Sequence, residues 1–187
     1  MKKLYNTALF FVLLFSASVV FAQEEVVSER EKGFEFYDKG EYQKAVETLQ
    51  KVVQINKKDR KAWLYLGMSQ FKSPGKSKPA KAFKAADKIS DEETEASENQ
   101  TKVKIISKPR ASYTDEARQN QTQGTVKLAI EFGADGTIKT VFAFQTLPYG
   151  LTENCLQAVK GIKFDPATKD GKPYTTIKIV SYSFTIY

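Results

Sequence analysis

The side chains able to do covalent or acid–base chemistry are few. The chain of 187 residues contains no histidine and a single cysteine, Cys155. Without histidine there is no imidazole base for a nucleophilic triad and no imidazole ligand for a metal. One cysteine forms no internal disulfide and no thiolate cluster. We read Cys155 as a small apolar filler on a helix face rather than a reactive thiol. The neighbouring carboxylates Asp91, Glu92 and Glu93 sit in a polar run with nothing to bury them. They read as solvated charge, not as an acid–base pair. No phosphate-cradling glycine loop and no nucleophile–base pairing stands out. These features point away from an enzyme, a cofactor and a metal.

Net charge is +7, or +5 once Lys2 and Lys3 are set aside. The basic residues are scattered and no aromatic-plus-basic motif accompanies them, so nucleic acid is not an expected partner. A basic excess of this size is mostly solvated surface.

The clearest strand signals lie in the last third of the chain, around which the rest is organised. Val126, Leu128, Ile130 and Phe132 alternate with Lys127 and Glu131, the period of a half-buried strand. Gly133-Ala134-Asp135-Gly136 supplies a turn, and 137–145 is again rich in strand formers, which predicts a hairpin. Helices are expected at 114–121 and 151–162. A long final strand is expected from Tyr174 to Tyr187, rich in β-branched and aromatic residues.

The rest of the chain reads as delivery, presentation and spacing for this module. Residues 1–22 combine a positive start, an apolar run and a small-residue cleavage pattern ending in Ala22, which predicts a cleaved signal peptide and an exported protein. The alternative is an uncleaved, membrane-anchoring helix. Residues 23–89 carry apolar residues at helical spacing, with a break at Lys39-Gly40-Glu41. Gly33, Phe36, Ala45 and Leu49 in one copy match Gly67, Phe83 and Ala86, with Trp63 and Leu66, in another. Gly67 lies 34 residues after Gly33, and the pattern resembles the tetratricopeptide repeat (TPR), although Pro79 stands where a small residue is usual. Two such repeats leave open faces that the C-terminal domain, a second copy or a partner must cover. Residues 90–104 begin with an acidic, nearly apolar-free run and are expected to form a flexible linker.

Residues 105–187 form the last expected domain. Tyr113 and Ala117, Gly124 and Val126, Asp135 and Gly136, and Phe164 and Pro166 fall in the order of the Tyr-Pro-x-x-Ala box, Gly-x-Val strand, Asp-Gly turn and aromatic-x-Pro helix end of the TonB C-terminal domain family. The segment from Pro109 onward resembles that family, with Thr114 in place of the box proline. The resemblance implies an α+β fold: all-α TPR hairpins followed by a three-stranded antiparallel sheet with two helices. It also implies that the last strand grips a peptide of an outer-membrane receptor by strand addition, through Ile177, Lys178, Ile179, Val180, Tyr182 and Thr185. A second contact region is implied at Tyr113, Arg118 and Gln119. An open sheet edge offers unpaired N–H and C=O groups to any extended chain, so it also allows a strand-paired homodimer.

Two mechanisms follow. In the first, a membrane-anchored energy transducer pulls on a receptor. In the second, a soluble periplasmic adapter holds one protein on its repeats and another on its sheet edge, each raising the effective concentration of the other. A linker of about a dozen residues reaches roughly 40 Å at ~3.5 Å per residue, which favours the adapter. The ligand of the repeats is not legible.

Overall fold

The computed structural model describes residues 26–75, 78–90 and 99–186. The signal-peptide reading of residues 1–22, and the acidic stretch 91–98 of the expected linker, lie outside the described residues.

The N-terminal part is a layer of helical hairpins. Helix α1 covers 26–38, and α2 (Tyr42–Ile55) follows a turn in which Gly40 takes a positive φ of 78°. Helix α3 (Arg60–Lys72) is capped by Asp59, whose carboxylate accepts from the Ala62 amide at 2.8 Å. Pro79 opens α4 (Pro79–Asp87) in the first turn, where its missing N–H leaves no helical bond unmade. The two hairpins close in the same way. A Cβ on Gly33 would stand 2.5 Å from the Leu49 side chain, and one on Gly67 would stand 2.7 Å from Phe83. Each glycine thus lets a large residue of the next helix lie directly on its backbone. None of the helices among the described residues is long and apolar enough to cross a membrane.

The C-terminal part is α+β. Two short strands come first, β1 (Gln100–Thr101) and β2 (Lys104–Ser107). The expected linker therefore stops earlier than residue 104, because β1 already pairs with the later strand β6 and Lys104 begins the β2 ladder. Helix α5 (Asp115–Gln119) precedes strand β3 (Gly124–Phe132) and strand β4 (Ile138–Gln145). Helix α6 (Leu151–Val159) is followed by β5 (Lys163–Asp165), β6 (Ala167–Lys169), β7 (Lys172–Tyr174) and β8 (Thr176–Phe184). The main sheet is antiparallel with order β4-β3-β8, so β3 is central and β4 and β8 are outer strands. Smaller sheets, β1-β6-β7 and β2-β5, flank it.

Both faces of the main sheet are covered. On one face, Val126, Leu128, Ile130 and Phe132 of β3 pack with Leu151, Cys155 and Val159 of α6 and with Val180, Tyr182 and Phe184 of β8. On the other, Ala129, Phe144 and Ile177 join the core of the helical layer, with Phe142 and Ile179 packed against it. The expectation of a half-buried β3 is therefore corrected: Ala129 and Glu131, on its polar-looking face, are as buried as their neighbours. The helical layer is the second lid of the sheet rather than a spacer before it. The face that this helical layer turns towards the sheet is covered by residues of the C-terminal part.

Polar bonds cross the same boundary. Tyr37 of α1 donates to Glu131 of β3 at 2.5 Å, and Lys72 of α3 reaches both Glu131 oxygens at 2.7 and 2.8 Å. Lys127 of β3 pairs with Asp87 of α4 at 2.5 Å. Lys61 of α3 lies over the rings of Phe34, Tyr65 and Tyr174, and burial lowers its pKa. Buried ions need partners: Glu131 and Lys127 find theirs across the interface, and Lys61 meets the Tyr174 ring there.

Candidate functional site

The site is the free side of β8. Gln145 donates to the Thr125 carbonyl from the β4 side of β3. Main-chain groups of alternate residues point to opposite sides of a strand. Val126, Leu128 and Ile130 therefore face β8, opposite Tyr182, Val180 and Lys178. Those three β8 residues are tied into the ladder, which leaves Ile177, Ile179, Ser181 and Ser183 pointing away from the sheet.

Part of that free side is already occupied. Lys108 donates its ammonium to the Ser181 carbonyl at 3.0 Å and lies over the Tyr182 ring at 4.8 Å. One step before the strand, Tyr65 of α3 donates its hydroxyl to the Thr175 carbonyl at 3.0 Å. Burial, then the nearby charge of Asp38, raises the Tyr65 pKa well above the ordinary phenol value, so it stays a donor. Between these two side-chain caps lie the outward main-chain groups of Ile177 and Ile179.

The residues expected at the site are dispersed in role. Ile177 is buried under the helical layer and Ile179 is half-buried against it. Val180 and Tyr182 are buried in the opposite core. Burial raises the Tyr182 pKa, with the Cys155 thiol beside it adding to the effect. These four side chains serve the core, and of the four only Ile177 and Ile179 turn main-chain groups away from the ladder. Lys178 is half-buried, and Thr185 is exposed just past the end of β8.

The second expected region meets the strand at one point. The Tyr113 ring stands edge-on to Phe184, with centroids 5.5 Å apart, and its hydroxyl donates to the Thr122 carbonyl. The Arg118 guanidinium covers the outer face of that ring at 4.9 Å, and Gln119 is exposed on α5. Thr114, in the place of the box proline, caps α5: its hydroxyl accepts from the Ala117 amide at 3.1 Å and donates to the Tyr149 carbonyl at 2.6 Å. The substitution keeps the helix start by hydrogen bonding where proline would keep it by a fixed φ. Lys108 and Tyr65 were not legible as edge residues, because they lie 73 and 110 positions from the carbonyls they hold.

A comparison with protein families matches the C-terminal part of the chain. Residues 109–186 match the family described as Gram-negative bacterial TonB protein C-terminal. Among solved structures, the solution NMR structure of Pseudomonas aeruginosa TonB CTD aligns at 22% identity with a TM-score of 0.39, covering 49% of this chain and 93% of that one. No curated protein matches. From residue 109 to residue 186, this chain is similar to the C-terminal domain of Gram-negative bacterial TonB proteins.

Proposed function

We propose that this is a periplasmic TonB-like binding protein that serves outer-membrane receptor transport. A partner peptide adds as a strand along the free side of β8, and the helical layer, read as TPR hairpins, holds a second protein. The observation that carries this reading is the position of β8 as an outer strand with the Ile177 and Ile179 main chain turned away from the sheet. An extended peptide satisfies such groups without help from side chains, which suits a strand whose apolar side chains are committed to two cores. The repeated close contacts, Gly33 on Leu49 and Gly67 on Phe83, support the TPR reading. The protein works by binding and not by turnover.

The test is site-specific crosslinking in the native cell, with photoreactive residues at Ser181, Ser183 and Thr185, which are exposed. Adducts to the plug segment of an outer-membrane receptor are expected. Adducts confined to soluble or inner-membrane proteins would remove the receptor from the proposal.

A further inference from the structure

The opposite border of the sheet carries a second feature, independent of the β8 edge. Helix α4 turns Ala82, Phe83 and Ala86 inward. Its outward side bears Lys81, Lys84 and Lys88, three and four residues apart, with Lys78 at the helix cap. All four are exposed, and among the described residues none has a carboxylate partner. Asp87, the acid of the same helix, is committed to Lys127. Like charges at this spacing repel one another, so the row lowers the stability of the free helix.

These lysines wall an open groove of about 590 Å³, whose other lining is Pro79, Ala80, Ala85 and Phe142 of β4. Phe142 is half-buried, and Phe71, 44% exposed, lies beside it with ring centroids 4.9 Å apart. β4 is an outer strand, so among the described residues no further strand closes that side. The groove therefore combines an apolar floor with a one-sided row of cations that have no carboxylate partner among the described residues.

We infer that this groove takes an extended acidic peptide segment of a partner protein. Its carboxylates sit on Lys78, Lys81, Lys84 and Lys88, and its apolar side chains sit on Phe142 and Ala85. Spacing favours this occupant. Lysines three or four residues apart on a helix are separated by about 4.5–6 Å along the axis. Alternate residues of an extended chain are about 6.7 Å apart. A segment alternating acidic and apolar residues thus meets the lysine row with one side and the floor with the other. A bilayer surface fits less well, because a flat surface touches the lysine heads on the rim before it reaches the floor.

The probe is a fluorescein-labelled peptide of about nine residues alternating glutamate and leucine, titrated against the full chain and followed by anisotropy. We expect saturable binding that weakens about tenfold or more in Lys81→Glu/Lys84→Glu and falls as salt is raised from about 50 to about 500 mM. Lys81→Arg/Lys84→Arg, which keeps both charges, retains it. Circular dichroism melting of each variant confirms that these exposed changes leave the fold intact. The inference is overturned by a peptide that does not saturate, or by equal affinity for the charge-reversed protein. Capture by vesicles of anionic phospholipid in a protein that ignores the peptide overturns it too. Loss of the peptide in Ile179→Pro would place it on the β8 edge instead and would also end the proposal.

Discussion

Tyr37 and Glu131 lie 94 residues apart in sequence and share a hydrogen bond of 2.5 Å in the interior of the molecule. Glu131 is 4% exposed and belongs to the central strand of the sheet. Its second partner, Lys72, comes from another helix of the same layer and also lies over the Tyr37 and Tyr42 rings. Three chain segments are thus tied at one carboxylate. The bond is one of several polar links that tie the helical layer to the sheet.

Removing one side of this cluster should cost more than removing both. Glu131→Leu strands the Lys72 ammonium and Tyr37 hydroxyl, and is expected to lower stability by about 3 kcal/mol. Glu131→Leu combined with Lys72→Met leaves no unpaired ion and should recover a good part of that loss. Urea denaturation of the two variants measures the difference, and a double variant less stable than the single would contradict the assignment.

The same carboxylate makes stability fall in acid. Burial pushes the Glu131 pKa up, but hydrogen bonds from Lys72, Thr140 and Tyr37 and the Lys72 charge outweigh it and hold it below the ordinary 4.5. A group depressed on folding stabilises fully above its unfolded pKa. That contribution is lost as pH falls through the lower folded value, so the loss begins near pH 4.5. Asp38 shifts the opposite way, raised chiefly by its burial. The informative readout is therefore the difference in unfolding free energy between the natural protein and Glu131→Gln as pH is lowered. It should shrink below pH 4.5 and stay constant above it.

Gly67→Ala should weaken the second helical hairpin. The new methyl would stand 2.7 Å from the Phe83 ring, which is fully buried and cannot swing away. Overpacking of this kind costs about 1–3 kcal/mol. Thermal unfolding should shift downward, whereas Gly75→Ala, which meets nothing within 4 Å, adds no clash and bears only the backbone strain of its positive φ.

On the β8 edge, Ile179→Pro removes an outward N–H without removing a bond to β3, since proline is tolerated where a strand faces no neighbour. Crosslinks from Ser181 and Ser183 should disappear while the fold persists by circular dichroism. Lys108→Met frees the Ser181 carbonyl and should lengthen the available ladder, strengthening the same crosslinks. If Lys108→Met weakens them, Lys108 contacts the partner rather than capping the edge.

Cys155 should be inert in the folded protein. It is fully buried, and burial, with the nearby Glu153 charge, pushes its thiol up to about 11. An aromatic disulfide reagent at neutral pH should label it only at the rate of unfolding. Prompt labelling under native conditions would show that the α6 face opens.

The elements themselves were legible in the sequence because each is encoded by near neighbours. Alternation at Val126, Leu128, Ile130 and Phe132 gave β3, and Asp135-Gly136 gave the hairpin turn. The small residues Gly33 and Gly67 gave the close helix contacts. The family resemblance also located the outer strand. What the tertiary structure alone decided is what lies on the second face of the sheet. A period of two reports that the alternate positions Lys127 and Glu131 are polar, and a polar position is ordinarily wet. Here Lys127 finds Asp87, and Glu131 finds Lys72 and Tyr37, on helices 40 to 94 residues away. Local periodicity carries no information about such distant partners, because burial of a charge depends on a counter-charge that arrives only when the layers close.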